Sequence, residues 1–279
     1  MKKILVPCDF SKQAINAFRF ALDLAGKSKG EVHLVYVVEL PILHDSVLMP
    51  VLTFEEQLLK DLRTKATERF EKLLEKYPSG KVTLKTKVVF GATSHMILDY
   101  SKRNRIDLIV MGTQGASGLR ELVIGSNTEK IVRNAAAPVI AVKKYPGQGS
   151  IKNIVFPNTL DPEGQKDLVT RVKELQSFFN ATIHLVWINT PVNFYPDIVT
   201  NERLEDFAKM FSLRKFTINT FNDLSEEAGI INFTHSIKAD MIAMGTHGRK
   251  GLAHAINGSL AEDLVNQVES PIWTYTIRK

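Results

Sequence analysis

The stretch IDLIVMGTQGASGLRELVIGS (Ile106–Ser126) recurs 133 residues later, without a gap, as ADMIAMGTHGRKGLAHAINGS (Ala239–Ser259). The similarity extends to shorter segments near the front of each half, where KKILVP at 2–7 matches KNIVFP at 152–157 and VHLVYV at 32–37 matches IHLVWI at 183–188. A repeat of about half the chain length predicts two similar domains, not a solenoid of many short units.

The segment KKYPGQGS (Lys143–Ser150) separates the two copies. Its proline and two glycines interrupt helices and strands. We therefore expect a first domain at 1–145, a linker at 146–150 and a second domain at 151–279. A chain of 279 residues is long enough for two domains of ordinary size.

Short apolar runs alternate with helical patterns in each half. In the first half the predicted strands lie at 4–6, 32–38, 82–89, 108–111 and 139–142. Helices are predicted between them, at about 54–74 and 95–103, from Ser126 onward, and along the stripe Ile15, Phe18, Leu22 and Ala25. This alternation predicts a parallel sheet covered by helices on both faces. Such sheets bind ligands at the carboxyl ends of their strands.

The second half carries its own helix signal after the first strand. Asp161 followed by Pro162 predicts a helix N-cap with proline at the first helical position. An apolar face of that helix is predicted from the spacing of Leu168, Val172, Leu175 and Phe179.

A glycine pattern, G-x2-G-x9-G-S, follows the same predicted strand in both halves. Its members are Gly112, Gly115, Gly125 and Ser126 in the first half and Gly245, Gly248, Gly258 and Ser259 in the second. Glycines let the backbone approach a phosphate closely, and the N–H groups of a helix start favour an anion. The pattern therefore predicts a phosphate site in each half.

A purely structural interpretation exists for part of this pattern. Ser126 with Glu129, and Ser259 with Glu262, fit the helix capping box S-x-x-E. Capping does not account for three glycines at fixed spacing. A P-loop is excluded because no lysine precedes either serine, and the dinucleotide fingerprint is absent after the first strand. If a nucleotide binds, Glu129 and Glu262 should point away from its phosphates.

On these motifs, and on VPCDFS (Val6–Ser11), the chain resembles the ATP-binding universal stress proteins over nearly its full length. The resemblance implies two tandem Rossmann-like α/β domains, each a five-stranded parallel sheet flanked by helices, of the adenine nucleotide alpha hydrolase-like type. It also implies a cytoplasmic protein whose domains pair through their last strands. That pairing predicts an internal pseudo-dimer, with a homodimer as a further possibility.

The ligand implied is ATP, with Mg²⁺ bridging its phosphates and no protein ligands of its own. The resemblance assigns nucleoside contact to Asp9 and adenine recognition to the backbone of Val37. The full set of candidate nucleotide-binding residues is Pro7, Cys8, Asp9, Val37, Gly112, Gly115, Gly125, Ser126, Asn127, Gly245, Gly248, Arg249, Gly258, Ser259 and Leu260.

The second half departs from the pattern at one position. Aligning Pro7 with Pro157 places Thr159 where Asp9 stands, and threonine cannot act as a charged acceptor for ribose hydroxyls. Arg249 and Lys250 add positive charge to its glycine loop. We therefore expect the two sites to differ in nucleoside discrimination.

Charge and composition exclude other classes of partner. The net charge is +6, but the basic residues of the first half alternate with acids along helices, which is typical of a solvated face and does not favour nucleic acid. No apolar stretch is long enough to span a membrane. One cysteine suits a reducing compartment. Cys8 is more typical of a small apolar residue than of a redox centre, and His247 of a loop contact than of a general base.

These observations favour a nucleotide-dependent stress or regulatory protein with slow or no hydrolysis. Two alternatives stay open: a slow ATPase, for which no catalytic base is evident, and a protein-interaction module whose nucleotide sites are vestigial.

Overall fold

The computed structural model describes residues 1–39, 50–113, 126–147, 149, 151–247 and 258–277. They belong to two compact units, Met1–Gly112 and Thr113–Lys279. In the described part of the chain no helix has the length and apolar character needed to cross a membrane.

The first unit is a parallel sheet with helices between its strands, which confirms the predicted α/β class. Its elements are β1 (Lys3–Pro7), α1 (Lys12–Ser28), β2 (Glu31–Val38), α2 (Pro50–Lys76), β3 (Thr83–Phe90), α3 (Thr93–Asn104) and β4 (Leu108–Gly112). The strand order is β3-β2-β1-β4, so β1 lies between β2 and β4 and the order reverses at β1.

Helix α1 packs tightly because small residues line its inner face. Its buried positions are Ala14, Ala17, Phe18, Phe20, Ala21, Leu24 and Ala25, whereas Ile15 and Leu22 of the predicted stripe are half-buried. The Ser11 side chain caps the helix by accepting from the Ala14 N–H, and Lys29 ends it in the left-handed conformation.

The second unit repeats this plan. Its elements are α4 (Ser126–Asn134), β5 (Val139–Val142), β6 (Asn153–Pro157), α5 (Lys166–Phe179), β7 (Thr182–Asn189), α6 (Asp197–Met210), β8 (Phe216–Asn222), α7 (Glu226–Ser236), β9 (Met241–His247), α8 (Gly258–Gln267) and β10 (Ile272–Ile277). Strands β6 to β10 are parallel in the order β8-β7-β6-β9-β10, so the order reverses at β6.

The last strands of the two sequence halves pair with each other. Strand β5 runs antiparallel to β10, with Ile140 opposite Trp273 and Ala141 opposite Ile272. All of these residues are buried. The expected contact between 139–142 and 272–275 is therefore present, and β5 covers an edge of the β10 strand that would otherwise be open.

One helix boundary was wrong in the sequence interpretation. Helix α5 begins at Lys166, not beside Asp161 and Pro162. Asp161 instead accepts the Glu163 N–H in a local turn, and Gly164 has a φ of 72°, which a continuing helix excludes. The predicted apolar face of α5 is confirmed, because its four residues are all buried.

Candidate functional site

The carboxyl ends of β1, β2 and β4 form one edge of the first sheet. The Cys8 N–H donates to the Val35 carbonyl at 2.8 Å, which extends the β1–β2 pairing one residue past the end of β1. The crevice between β1 and β4 is the topological switch point of this unit, where open parallel sheets bind ligands. Four of the candidate nucleotide-binding residues lie along this edge: Pro7, Asp9, Val37 and Gly112.

Asp9 is exposed at the end of β1. One of its carboxylate oxygens, Oδ1, accepts the Ser11 N–H at 2.9 Å, and Ser11 in turn caps helix α1. These two bonds fix the chain between strand and helix. They leave Asp9 Oδ2 with no hydrogen-bond partner among the described residues, so it can accept from a ligand hydroxyl.

An arginine from α2 holds the same turn from the other side. The Arg69 guanidinium lies over the Phe10 ring, 4.0 Å from its centre, and donates to the Asp9 carbonyl at 3.4 Å. Phe10 has a φ of 66°, an uncommon conformation for an aromatic residue. The stacked guanidinium therefore stabilises the strained turn that presents Asp9.

Packing requires a glycine at position 112, and the sequence interpretation missed this requirement. A Cβ at this position would lie 2.3 Å from the Gln13 carbonyl carbon and 2.5 Å from the Ala14 nitrogen, both backbone atoms of α1. The glycine thus lets the first turn of α1 pack directly against the end of β4. This contact brings a helix N-terminus, with its favourable field for anions, to the switch-point crevice.

Cys8 lies at this edge but is only 3% exposed. Burial raises the pKa of its thiol to about 12, so the reactive thiolate is suppressed at neutral pH. The geometry therefore favours a packing role for Cys8.

The glycine loop of the first half, with Gly115 and Gly125, lies outside the described residues. Helix α4 begins at Ser126, as predicted, and Asn127 lies in its first turn, half-buried. Glu129 pairs with Arg133 at 3.3 Å, one turn further along the helix. One oxygen of the Glu129 carboxylate is therefore engaged toward the C-terminal end of the helix.

The second unit reproduces the edge but changes its chemistry. The Asn158 N–H donates to the Val186 carbonyl at 3.1 Å, which matches the Cys8 bond to Val35. Asn158 and Gln165 are buried and exchange amide hydrogen bonds of 2.6 and 3.2 Å. Gln165 also donates to the Asp161 carbonyl and, at 3.5 Å, to the Thr159 hydroxyl. The polar groups after β6 are thus largely satisfied by one another.

The sequence interpretation identified Thr159 as the departure but missed this amide network. The signal for the network was the pair of amide side chains at Asn158 and Gln165. In the first unit Cys8 stands at the position of Asn158, and the position of Gln165 lies inside helix α1. Leu160 repeats the left-handed backbone of Phe10, with a φ of 59°. The turn is therefore the same in both units, and the side chains differ.

The phosphate end of the second site is only partly described. A Cβ on Gly245 would meet the side-chain ends of Leu168 at 2.8 Å and Ile277 at 3.0 Å. Gly258 and Ser259 begin helix α8, and Leu260 is buried in its first turn. Gly248 and Arg249 lie outside the described residues, together with Lys250.

No group of three or more histidine, cysteine, aspartate or glutamate side chains suited to a metal ion occurs in the described ranges.

The model of the universal stress protein family matches residues 1–143 and 223–275. The chain belongs to the universal stress protein family. The stretch between these two matches contains Thr159 and the amide network, the part of the second half that departs from the pattern.

Individual universal stress proteins resemble either one half or the whole chain. Universal stress protein MJ0531 of Methanocaldococcus jannaschii is 31% identical over 143 residues, which cover 51% of this chain and 82% of that protein. Universal stress protein Slr1230 of Synechocystis is 23% identical over 291 residues, which cover 99% of this chain and all of that protein. A protein of tandem length therefore exists in the family.

A solved structure shares the fold along the whole chain. The crystal structure of a universal stress protein from Archaeoglobus fulgidus has a TM-score of 0.77 at 17% identity, and the match covers 99% of this chain and 98% of that one. At this identity the likeness concerns the fold alone.

Proposed function

We propose that this universal stress protein binds ATP at the β1–β4 crevice of its first unit and acts as a nucleotide-dependent regulatory protein. The observation that carries the proposal is the turn after β1, where an exposed Asp9 carboxylate is held beside the N-terminus of α1 and the end of β4. A carboxylate suits ribose hydroxyls, and a helix N-terminus suits phosphate.

In this proposal Val37 contributes its backbone to adenine recognition, and Pro7 and Cys8 form the floor under the nucleoside. The phosphates occupy the glycine loop that ends at Gly125 and Ser126, and Asn127 lies beside them. Mg²⁺ is held by the phosphates. We further propose that the two nucleotide domains are 1–145 and 151–279, joined by 146–150, as an internal pseudo-dimer in the cytoplasm.

The second site should be a poorer nucleoside site. Asn158 and Gln165 bond to each other where a ribose would need open acceptors, and Thr159 carries no charge. The glycines at 245, 248 and 258 with Ser259, Leu260 and Arg249 still favour a phosphate group. We expect this site to bind ATP more weakly than the first and to discriminate less between nucleotides.

Turnover should be slow, well below about 10 per second. Asp9, the exposed carboxylate of the first site, is engaged at one oxygen and assigned to the ribose, which leaves no described base beside the phosphates. Fast hydrolysis that Gly125→Val abolishes would contradict this part of the proposal.

Calorimetry with matched variants tests the assignment of the sites. Asp9→Ala should weaken ATP binding at the first site about 10- to 100-fold, the loss expected for a charge-assisted hydrogen bond. Thr159→Ala, at the equivalent position, should leave that site unchanged. Equal effects of the two substitutions, or none from Asp9→Ala, would refute the site.

A gain-of-function variant tests the reason for the inequality. Thr159→Asp should tighten ATP binding at the second site, and more so when Gln165→Ala also removes the amide that bonds to Asn158. The variants are made in a Gly125→Val background so that only the second site is observed. Unchanged binding in the double variant would show that the amide network has no influence.

A further inference from the structure

A basic cleft lies in the second unit at the amino-terminal edge of its sheet, opposite to the edge of the nucleotide site. Asn180 and Ala181 immediately precede β7, and Arg214 and Lys215 immediately precede β8. The cleft has a volume of about 510 Å³ and is lined by Lys173, Gln176, Ser177, Asn180, Ala181, Ser212, Arg214 and Lys215.

Three of the lining residues are cations and none is an acid. This is unexpected from the overall charge, because residues 147–279 contain 13 lysines and arginines against 15 aspartates and glutamates. The positive charge is therefore concentrated here while the surrounding half is slightly acidic. A concave surface of one sign attracts ions of the opposite sign.

The internal repeat shows which of these side chains are additions. Helices α1 and α5 end in the same way, with Lys29 and Asn180 as left-handed C-caps. Counting back from the caps aligns Lys173 with Leu22, Gln176 with Ala25, and Ser177 with Gly26.

The pairing of the strands shows which residue of the first unit corresponds to Arg214. Val32 faces Leu84 across β2 and β3, and its counterpart Ile183 faces Phe216 across β7 and β8. Two residues earlier stand Val82 in the first unit and Arg214 in the second. In the first unit a Cβ on Gly26 would lie 3.9 Å from Val82, so this place is apolar there. The second unit thus has polar or basic side chains at four positions where the first has only apolar residues or glycine.

Some of these polar side chains stabilise the fold by hydrogen bonds to backbone carbonyls. Gln176 donates to the carbonyls of Ala181, Arg214 and Lys215, and Lys173 donates to the Phe211 carbonyl at 2.9 Å. Lys215 donates to the Asn180 carbonyl at 2.6 Å. Lys215 also donates to Asn180 Oδ1 at 3.2 Å. These bonds tie α5 to the two loops and fix the ammonium groups at the cleft, with two N–H donors left on Lys173 and one on Lys215.

The Arg214 side chain does not stabilise the fold in this way. Its guanidinium makes no hydrogen bond or ion pair with the described residues, although it lines the cleft beside two other cations. Five planar N–H donors of this kind match a phosphate in a bidentate manner. The hydroxyls of Ser177 and Ser212 add neutral donors at the rim.

From this arrangement we propose that the cleft is a second anion site, separate from the nucleotide crevice, which binds a small molecule carrying two or more phosphate groups. One phosphate is held by the fork of Arg214, and the other by the ammonium groups of Lys173 and Lys215. The size of the cleft suits a small ligand. The site does not depend on ATP binding at the opposite edge.

Pyrophosphate and tripolyphosphate are the probes, titrated into ¹⁵N-labelled protein at 150 mM salt and followed by NMR. We expect saturable shifts of the amides at 177, 180 and 212–215. Arg214→Gln should weaken this binding about tenfold, whereas Lys238→Gln, which removes an exposed cation elsewhere in the same unit, should change it less than twofold. Asp9→Ala should have no effect, so that failure of the ATP proposal and failure of this one are distinguishable.

Two results would overturn the proposal. The first is shifts that do not saturate, or that Arg214→Gln and Lys238→Gln reduce equally, since both indicate only diffuse attraction. The second is an Arg214-dependent complex with a single-stranded 12-nucleotide RNA when neither phosphate probe saturates, which would assign the cleft to nucleic acid.

Discussion

The Arg69 guanidinium carbon lies 4.0 Å from the centre of the Phe10 ring, one residue beyond Asp9. In the second unit Arg203 lies 5.0 Å from the ring centres of both Trp187 and Tyr195, and Trp187 is the counterpart of Tyr36, whose ring centre lies 5.8 Å from Arg69. Only Arg69 also donates to the turn after the first strand of its unit. It is therefore a positioning residue for Asp9.

Arg69→Ala should weaken ATP binding at the first site about five- to tenfold, because the turn loses a cation–π contact and a hydrogen bond. Calorimetry measures this loss, and Arg203→Ala is the matched control, with no effect expected at that site. A loss of the same size in both variants would indicate general destabilisation.

Gly112→Ala should lower the free energy of unfolding by about 3 kcal/mol, since its Cβ would overlap backbone atoms of Gln13 and Ala14. Gly245→Ala should cost less, about 1 kcal/mol, because it meets only the movable ends of Leu168 and Ile277. Urea denaturation compares the two. An equal cost would show that helix α1 can shift away from β4.

Acid should destabilise the protein partly through Glu31. Lys85 and His33 bond to its carboxylate at 2.8 and 2.9 Å and lower the pKa of Glu31 to about 2. A lowered pKa stabilises the fold above the unfolded value of about 4.5, and this contribution disappears as the pH falls from about 5 to 2. The free energies of unfolding of the wild type and of Glu31→Gln, measured by thermal melting, should differ by about 1 kcal/mol at pH 7 and converge near pH 2. A constant difference at all pH values would contradict this account.

Cys8 should resist thiol reagents in the native protein. Its thiol is buried and its pKa is about 12, so iodoacetamide should react on the timescale of unfolding and rapidly only in denaturant. Mass spectrometry of labelled protein follows the reaction. Fast native labelling would restore the redox interpretation.

The strands were predictable because each is a short apolar run between helical patterns. The predicted strand Val139–Val142 has the same ends as β5, and the predicted strand Leu108–Met111 is one residue shorter than β4. The internal repeat predicted the two-domain organisation, because a match between two halves carries information on topology that a single apolar run does not. The pairing of β5 with β10 followed from the position of these two runs at the ends of the halves.

The residues that the sequence did not reveal act through contacts distant in the chain. Arg69 lies on a helix whose charges are typical of a solvated face, and its partner Phe10 is 59 residues away. Gly112 appeared to be only part of a phosphate loop, because the approach of α1 depends on packing. The start of α5 was misplaced because Asp161 forms a local turn as readily as a helix cap.

The antiparallel pairing of β5 with β10 joins segments more than 130 residues apart on one polypeptide. When equivalent strands meet between separate molecules, dilution dissociates them. Here the local concentration is set by the connecting chain and does not fall on dilution. A permanently joined pair also releases its two copies from having to be identical, because no symmetry operation has to bring the same surface to both sides. Ile140 and Trp273, which face each other across this pairing, can therefore be different residues.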